Sequence, residues 1–319
     1  MSSYLITAGG DHPAGVDRAE LERRLASGEF FWLDLHRPGT DELALLGEVF
    51  GFHPLALEDT ERFGQRPKIE DYDDFTFLVV YGAAEDEDRL VEVHCFFSER
   101  CLVSVHRDDC PAFAALRAHY GRAGAPTQKP IRLLHEVIDW LVDSFFPILT
   151  TLDDELDRIE ELIARAPDSS QLQAIFTMRR QLVALRKVVL PQRDLLARLA
   201  TGVAELPGMT AEDERYFRDV YDHQIRIFDL LETYRDLLAA AHDVYLSTVS
   251  NRLNGVTKQL TVIATIFLPL SFVTGFFGQN FGWMVDHIGS SWAFLVLGIG
   301  SELAALAALV VIFKRRGWF

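Results

Sequence analysis

Residues 260–277 read LTVIATIFLPLSFVTGFF, 18 residues without a charged side chain, and residues 292–313 read WAFLVLGIGSELAALAALVVIF, 22 residues with one charge, Glu302. A hydrocarbon core about 30 Å thick needs roughly 20 apolar residues in helical form, so the two runs predict two transmembrane helices. The competing reading, a pair of buried helices in a soluble domain, does not account for two such runs in succession across a short loop. Flanking charge sets their orientation. Arg252 and Lys258 precede the first run and Lys314, Arg315 and Arg316 follow the second, whereas the intervening GQNFGWMVDHIGSS contains neither Lys nor Arg. The positive-inside rule therefore places both termini in the cytoplasm and the loop outside, in the cell membrane. Trp283, Trp292 and Trp318 fall near the predicted interfaces, where indole rings prefer to lie.

Working outward, the charge is unevenly spread. The 319 residues carry 31 basic and 47 acidic side chains, a net charge of -16. From Arg252 onward five basic residues oppose Asp286 and Glu302, so the end with the spans is positive and the rest of the chain holds more than the whole negative excess. An acidic body repels phosphate backbones, which argues against a nucleic-acid partner, and it attracts cations. Cys95, Cys101 and Cys110 show no CxxC spacing and fit a reduced cytosolic compartment. The opening MSSYLITAGGDHPAG lacks the features of a signal or transit peptide.

Between Ser3 and about Arg107, YLIT, FFWLDL (Phe30 to Leu35), FTFLVVY (Phe75 to Tyr81), LVEVHCFF (Leu90 to Phe97) and CLVSVH (Cys101 to His106) read as strands. Thr40 is the expected cap of a helix beginning DELALLGEVF, and HPLALEDT (His53 to Thr60) reads as a second short helix. A mixed sheet with helices packed on it is the expected fold of this α/β region. After Pro130 the pattern is wholly helical. One helix is expected from Ile131 to about Ala166 and another, capped by Ser169 or Ser170, to about Leu199 despite Pro191. From Glu212 to Phe277 no strong breaker precedes Pro269, which predicts a very long stalk helix of about 100 Å continuous with the first span.

A helix of that length must associate laterally. Val220, Gln224, Ile227, Leu231, Tyr234, Leu238, Ala241, Tyr245 and Thr248 recur at spacings of 4 and 3, a coiled-coil-like seam, and Asp222, Asp229, Asp236 and Asp243 repeat every seven on another face. The seam continues as Asn254, Thr257, Thr261, Ala264, Leu268, Ser271 and Gly275. Small and polar side chains inside a bilayer suit close helix packing or a pore lining, and one copy encloses nothing, so a pore requires several.

These features together resemble the CorA family of divalent-cation channels over nearly the whole chain. The family's hallmark, Gly-Met-Asn beyond the first of two C-terminal spans, has its counterpart in Gly278-Gln279-Asn280. IATIFLPLSFVTGFFGQNF resembles its first span, YFRDVYDH (Tyr216 to His223) and DVYLSTVSNRLN (Asp243 to Asn254) its stalk, and HPLALEDT with QRPKIEDYDDFTFLVV its cytosolic domain. The resemblance implies a funnel-shaped homopentamer whose first spans line the pore, with magnesium, cobalt or nickel-type ions as cargo. It further implies that Asn280 forms an outer ring of carbonyl acceptors and that Asn254, Thr257, Leu260, Leu268 and Ser271 lie on the path, with the two leucines as hydrophobic constrictions. Helix rotation decides whether Leu260 or Thr261 faces the axis. It also implies that intracellular magnesium closes the pore through Asp219 and Asp243, with Asp86 of the run EDED as partner from the next subunit.

The expected organisation is an α/β domain over 1–130, a helical hairpin over 131–209, the stalk over 210–255, the first span over 256–278, an outer loop over 279–291, the second span over 292–313 and a basic tail over 314–319. Two departures bear on the cargo. Gln279 replaces the hallmark methionine, and variants at that position also occur in ZntB-like members that handle zinc. Glu302 places an ionisable group at membrane depth, at a cost of roughly 2.5–3.5 kcal/mol, which makes it a protonated glutamic acid bonded to a neighbouring span, a group nearer the interface than its place in the run indicates, or a proton-linked one. Asp286 in the loop is a candidate for mild cation attraction. No nucleophile elbow, Walker loop, HExxH or paired Cys/His set is present, so an enzyme is not expected. His53, His94, His106, His135 and His223 show no ligand spacing and are read as structural. A cytosolic scaffold on a helical hairpin is the remote alternative, and it leaves the polar stripe from Asn254 to Ser271 without a reason.

Overall fold

The computed structural model describes residues 2–7, 10–13, 17–84, 89–123, 129–279 and 281–317. Two compact units divide near the middle of the long helix, Met1–Asp243 and Val244–Phe319. In the first, the alternating and continuous apolar runs form strands as expected: β1 (Ser2–Thr7), β3 (Phe31–His36), β5 (Phe75–Ala83), β6 (Leu90–Phe97) and β7 (Cys101–His106). Two further strands, β2 (Gly10–Pro13) and β4 (Lys68–Tyr72), complete a seven-stranded sheet of order β2-β1-β3-β7-β6-β5-β4. The sheet is mixed, with β3 and β7 parallel and the remaining pairs antiparallel. β5, β6 and β7 are buried almost end to end, which is why their sequences are continuously apolar, whereas β4 is a half-exposed edge reading KIEDY.

The helices of this unit are α1 (Arg18–Ser27), α2 (Thr40–Glu48), α3 (Pro54–Arg62), α4 (Pro111–Ala123), α5 (Pro130–Asp143), α6 (Phe145–Arg165) and α7 (Ser169–Ala200). Three sequence expectations need correction. The cap of α2 is Gly39, with Thr40 already helical; the Gly39 N–H donates to Glu42 at 2.5 Å, so the acid three residues on satisfies the exposed amide. The cap of α7 is Asp168 and neither serine, because its carboxylate accepts from the Ser170 N–H at 2.6 Å while Gln171 reaches back to the Asp168 N–H at 2.9 Å. The helix expected from Ile131 to Ala166 is interrupted at Ser144. Pro147 lacks an N–H and crowds the carbonyl one turn earlier, at Asp143, and this breaks the ladder.

That break docks on the sheet. Ser144 Oγ accepts from the Ala83 N–H at 2.7 Å, and Gly82 leaves room for the approach, since a Cβ there would lie 2.7 Å from Leu141 Cδ2. α7 is fixed to the same strand by Gln192, whose side-chain amide pairs with both main-chain groups of Tyr81, at 2.7 and 3.1 Å. Pro191 is accommodated within α7.

The long helix is α8 (Asp213–Phe277), 65 residues, as the absence of breakers required. In the first unit Val220, Gln224, Ile227, Leu231, Tyr234, Leu238 and Ala241 are its buried face, and Tyr245 and Thr248 beyond are half-buried. Much of that seam is filled by the chain's own helices: Gln224 donates to the Val189 carbonyl at 3.0 Å and Arg186 pairs with Glu232 at 2.8 Å. The seven-residue aspartate repeat is exposed throughout. The second unit contains the remainder of α8, a short α9 (Gly282–His287) and α10 (Ser291–Arg315), in which Phe294–Gly300 is π-helical. α8 and α10 are both long and apolar enough to cross a membrane.

Candidate functional site

The membrane half of α8 has two distinct sides. Asn254, Thr257, Thr261, Ala264, Leu268, Ser271 and Gly275 are all exposed on the single chain, with Leu268 at 73% and the flanking Leu260 at 62%. Half-buried positions are Val262, Thr265, Ile266, Pro269, Leu270, Val273 and Phe277. At about 100° per residue these two sets lie roughly 150° apart around the helix. α10 presents a half-buried row of its own at spacings of 3 and 4, including Gly298, Ser301, Glu302, Ala305, Leu309 and the buried Phe313. The small and polar stripe is thus left uncovered, as are the apolar Ile263, Phe267 and Phe272 on its flanks, while the opposite side is shielded. Leu260 and Thr261 straddle the centre of the stripe, and both are exposed.

A hydroxyl at the centre of the stripe, and one on the shielded side, are satisfied as donors within the helix. Thr261 donates to the Thr257 carbonyl at 2.8 Å and Thr265 to the Thr261 carbonyl at 2.7 Å. A hydroxyl whose proton points back along its helix offers its lone pairs outward, so Thr261 adds an acceptor to the stripe without a charge. At the end of α8 the Gly278 N–H donates to the Thr274 carbonyl at 2.9 Å and the Gln279 N–H to the Phe276 carbonyl at 3.3 Å, which closes the helix directly before the loop. Gly278 and Gln279 are exposed, and Asn280 lies outside the described residues. Asp286 sits on α9, exposed.

A second grouping lies in the first unit. His223 on α8 places Nδ1 2.9 Å from Asp143 and 3.8 Å from Asp139, both on α5, and the three ligand atoms fall within 4.8 Å of one another. Burial, then the charges of Asp143 and Asp219, push the Asp139 carboxyl up to about 6. Asp219 is exposed one turn before His223 and so faces this pair. Two carboxylates, an imidazole and a third acid nearby are a donor set for a divalent cation, which would relieve their repulsion. Sequence reading took His223 as structural and overlooked Asp139 and Asp143, because the partners come from helices some 80 residues apart. The i, i+4 spacing of Asp139 and Asp143 was the available signal.

Asp243 does not join this grouping. It is 24 residues beyond Asp219 on one helix, about 36 Å at 1.5 Å per residue. It is exposed and borders a cleft of about 380 Å³ between α7 and α8 that also contains Arg179, Arg186, Arg235 and His242. Asp86 lies outside the described residues.

His94 and His106 are held in buried networks. Trp32 Nε1 donates to Ser104 Oγ at 2.9 Å, Ser104 donates to Asp34 Oδ1 at 2.7 Å, with His106 Nε2 3.3 Å from that same oxygen, and Arg117 Nη1 donates to Asp34 Oδ2 at 2.5 Å. Burial alone raises the Asp34 carboxyl, but His106, Arg117 and Ser104 outweigh it and hold it below the usual range. Burial likewise lowers His106, and Asp34 more than offsets this. Glu92 is held in the same way by His94 at 2.7 Å and by the N–H groups of Gln65 and Gly64 at 2.8 and 2.6 Å. Cys95, Cys101 and Cys110 are free and buried, and burial raises all three thiols, Cys101 and Cys110 to about 11, so they are unreactive at neutral pH.

A mixed-sheet unit, a 65-residue helix running on into an apolar span, a second span and an uncharged polar stripe define a two-span membrane transport protein with a large soluble part. The family model for the CorA-like Mg2+ transporter protein matches residues 27–315, and the chain belongs to that family of divalent-cation transporters. The cobalt/magnesium transport protein CorA of Thermotoga maritima is 37% identical over 297 residues, covering 90% of this chain and 83% of that protein. The complete structure of the CorA magnesium transporter from Methanocaldococcus jannaschii superposes with a TM-score of 0.83 at 23% identity over 100% of this chain and 99% of that one. The cytoplasmic domain of ZntB from Vibrio parahaemolyticus shares the fold at a TM-score of 0.64 and 14% identity, over 79% of this chain and 98% of that one.

Proposed function

We propose that the chain assembles as a homopentameric, magnesium-preferring channel of the cell membrane, with both termini cytoplasmic and Asn254, Thr257, Leu260, Thr261, Ala264, Leu268, Ser271 and Gly275 along the path. The observation that carries this reading is the uncovered polar stripe on α8, opposite the side the chain itself shields. Five such stripes around an axis present neutral oxygens, and magnesium, which dehydrates reluctantly, passes neutral acceptors with much of its water shell in place. Leu268 and Leu260 interrupt the stripe with apolar rings that stop ions when narrow, by dewetting. Gly278, Gln279 and Asn280 form the mouth, and Asp286 adds a weak attraction for cations.

Regulation follows from the acidic body. A cytosolic cation bound at Asp219 neutralises carboxylates that otherwise repel, and its loss loosens the closed arrangement. The position of Asp219 beside Asp139, Asp143 and His223 supports this role more strongly than the position of Asp243 does. Asp219→Ala is expected to weaken inhibition by internal magnesium about tenfold, read as the concentration that halves uptake into vesicles preloaded with the ion. An unchanged half-inhibition concentration would remove Asp219 from the sensor.

A zinc-handling, proton-coupled transporter is the second reading, favoured by Gln279 in place of methionine and by Glu302. Reconstitution into liposomes, with magnesium, cobalt and zinc uptake compared with and without a pH gradient, separates the two. Magnesium uptake indifferent to the gradient is expected; zinc uptake that follows the gradient without magnesium flux would replace the first reading by the second.

A further inference from the structure

Glu302 is the one charged side chain between residues 292 and 313, and the pore reading gives it no task. Its surroundings do. Thr274 Oγ1 donates to the Leu270 carbonyl of its own helix at 2.6 Å and shares the same proton with Glu302 Oε1 at 3.0 Å, and this second, longer contact joins α8 to α10. The carbonyl of Thr274 accepts the Gly278 N–H at 2.9 Å, the last regular helical bond before the mouth. Thr274 therefore holds the end of the first span with its main chain and the second span with its side chain.

The helix around Glu302 is unusual in a way that bears on its aim. Phe294–Gly300 is π-helical, and the α-helical path resumes at Ser301. A π segment inserts extra residues per turn, is seldom found without a functional or packing reason, and rotates everything that follows about the helix axis. Glu302 is the second residue after it, and the rotated phase is the one in which its carboxyl meets Thr274. Ser301 beside it is satisfied within its own helix, by the Leu297 and Gly298 carbonyls, and does not compete.

We propose that Glu302 is a positioning residue, tying the second span through Thr274 to the pore-lining helix one turn before Gly278-Gln279 and so fixing the mouth. The required property is an acceptor oxygen at the end of this side chain; a transferable proton is not needed. The consequence for flux rests on the pore reading above, whereas the tie itself does not.

The test uses the full-length protein in liposomes and in detergent, with magnesium as the probe. T274V is expected to raise the apparent KM for magnesium uptake about threefold, the size of a typical interhelical polar contact in a bilayer. In the E302L background the same change is expected to do nothing further, and the melting temperature is expected to show the same coupling. T274S and E302Q keep the donor and the acceptor and are expected to match the wild type in both readouts. The tie is refuted if T274V shifts KM and melting equally in both backgrounds, or shifts neither. E302Q behaving as E302L also refutes it, and assigns the proton of Glu302 to transport instead. Coupling in melting temperature with Asn280→Ala leaving flux intact keeps the tie and discards the pore reading.

Discussion

Asn280→Ala is expected to abolish divalent-cation uptake while the protein still assembles and melts as the wild type does. Asn280 follows, in the sequence, the closed end of α8, whose last main-chain bonds run from Gly278 to Thr274 and from Gln279 to Phe276, and the proposed function assigns it to the entry of the path. In a pentamer the substitution removes five carboxamide oxygens at once. At about 0.5–1.5 kcal/mol for each lost hydrogen bond to the ion's water shell, the combined loss corresponds to roughly seventyfold or more in occupancy of the mouth. Asn280→Asp is expected to err in the other direction, holding the ion more tightly and slowing its release. Radiotracer or fluorescent-indicator uptake in liposomes measures both, and size-exclusion chromatography checks assembly. Uptake by the alanine variant within twofold of wild type would falsify the pore assignment.

Asp34→Ala is expected to cost about 3–5 kcal/mol of stability, the range for removing one partner from a buried ion pair. Asp34 is fully buried on β3, opposite Ser104 of β7 in the parallel pair at the centre of the sheet. Its loss strands three groups together: the Ser104 hydroxyl, the His106 imidazole and the Arg117 guanidinium, the last stacked over Tyr4 at 4.1 Å. The melting temperature of the soluble unit is expected to fall by roughly 10 °C. The pH dependence has a definite sign. The Asp34 carboxyl is held below its ordinary value, so its contribution is present above the unfolded pKa and lost as pH falls through the folded one. His106 is held above its ordinary value, so its contribution is present below the unfolded pKa and lost as pH rises through the folded one. The difference between wild type and Asp34→Ala is therefore expected to be largest between roughly pH 4 and 6.5. His36, stacked on His106 at 4.8 Å and lowered by burial and by that neighbour's charge, works against this trend in the wild type. Comparison of the two proteins removes much of its effect. A difference that does not vary with pH would mean that the pair is held by packing and not by charge.

Much of the molecule was legible in the sequence because its determinants are local and periodic. Five strands, the two spans and the 65-residue helix follow from alternation, apolar length and the absence of breakers. The edge strands were missed, since KIEDY and GDHP carry too little apolar content to register as strands, and they exist because β5 and β1 offer free edges to pair with. The break at Ser144 is encoded by Pro147, within an amphipathic pattern that runs through it without interruption.

The stripe from Asn254 to Gly275 needed only the 3.6-residue period, because all its members lie on one helix. The apolar length of residues 292–313 likewise sufficed to mark Glu302 as the single charge in that run. What covers the opposite side of the stripe, what Glu302 touches and which acids surround Asp219 depended on segments distant in the chain. Thr274 and Glu302 are 28 residues apart, and Asp143 and His223 are 80 apart. A contact of this kind is fixed by how far each helix is rotated about its own axis, and here a π-helical turn and a proline-induced break set that rotation. Sequence periodicity determines which residues share a face of one helix; only packing in three dimensions decides which face of which helix they meet.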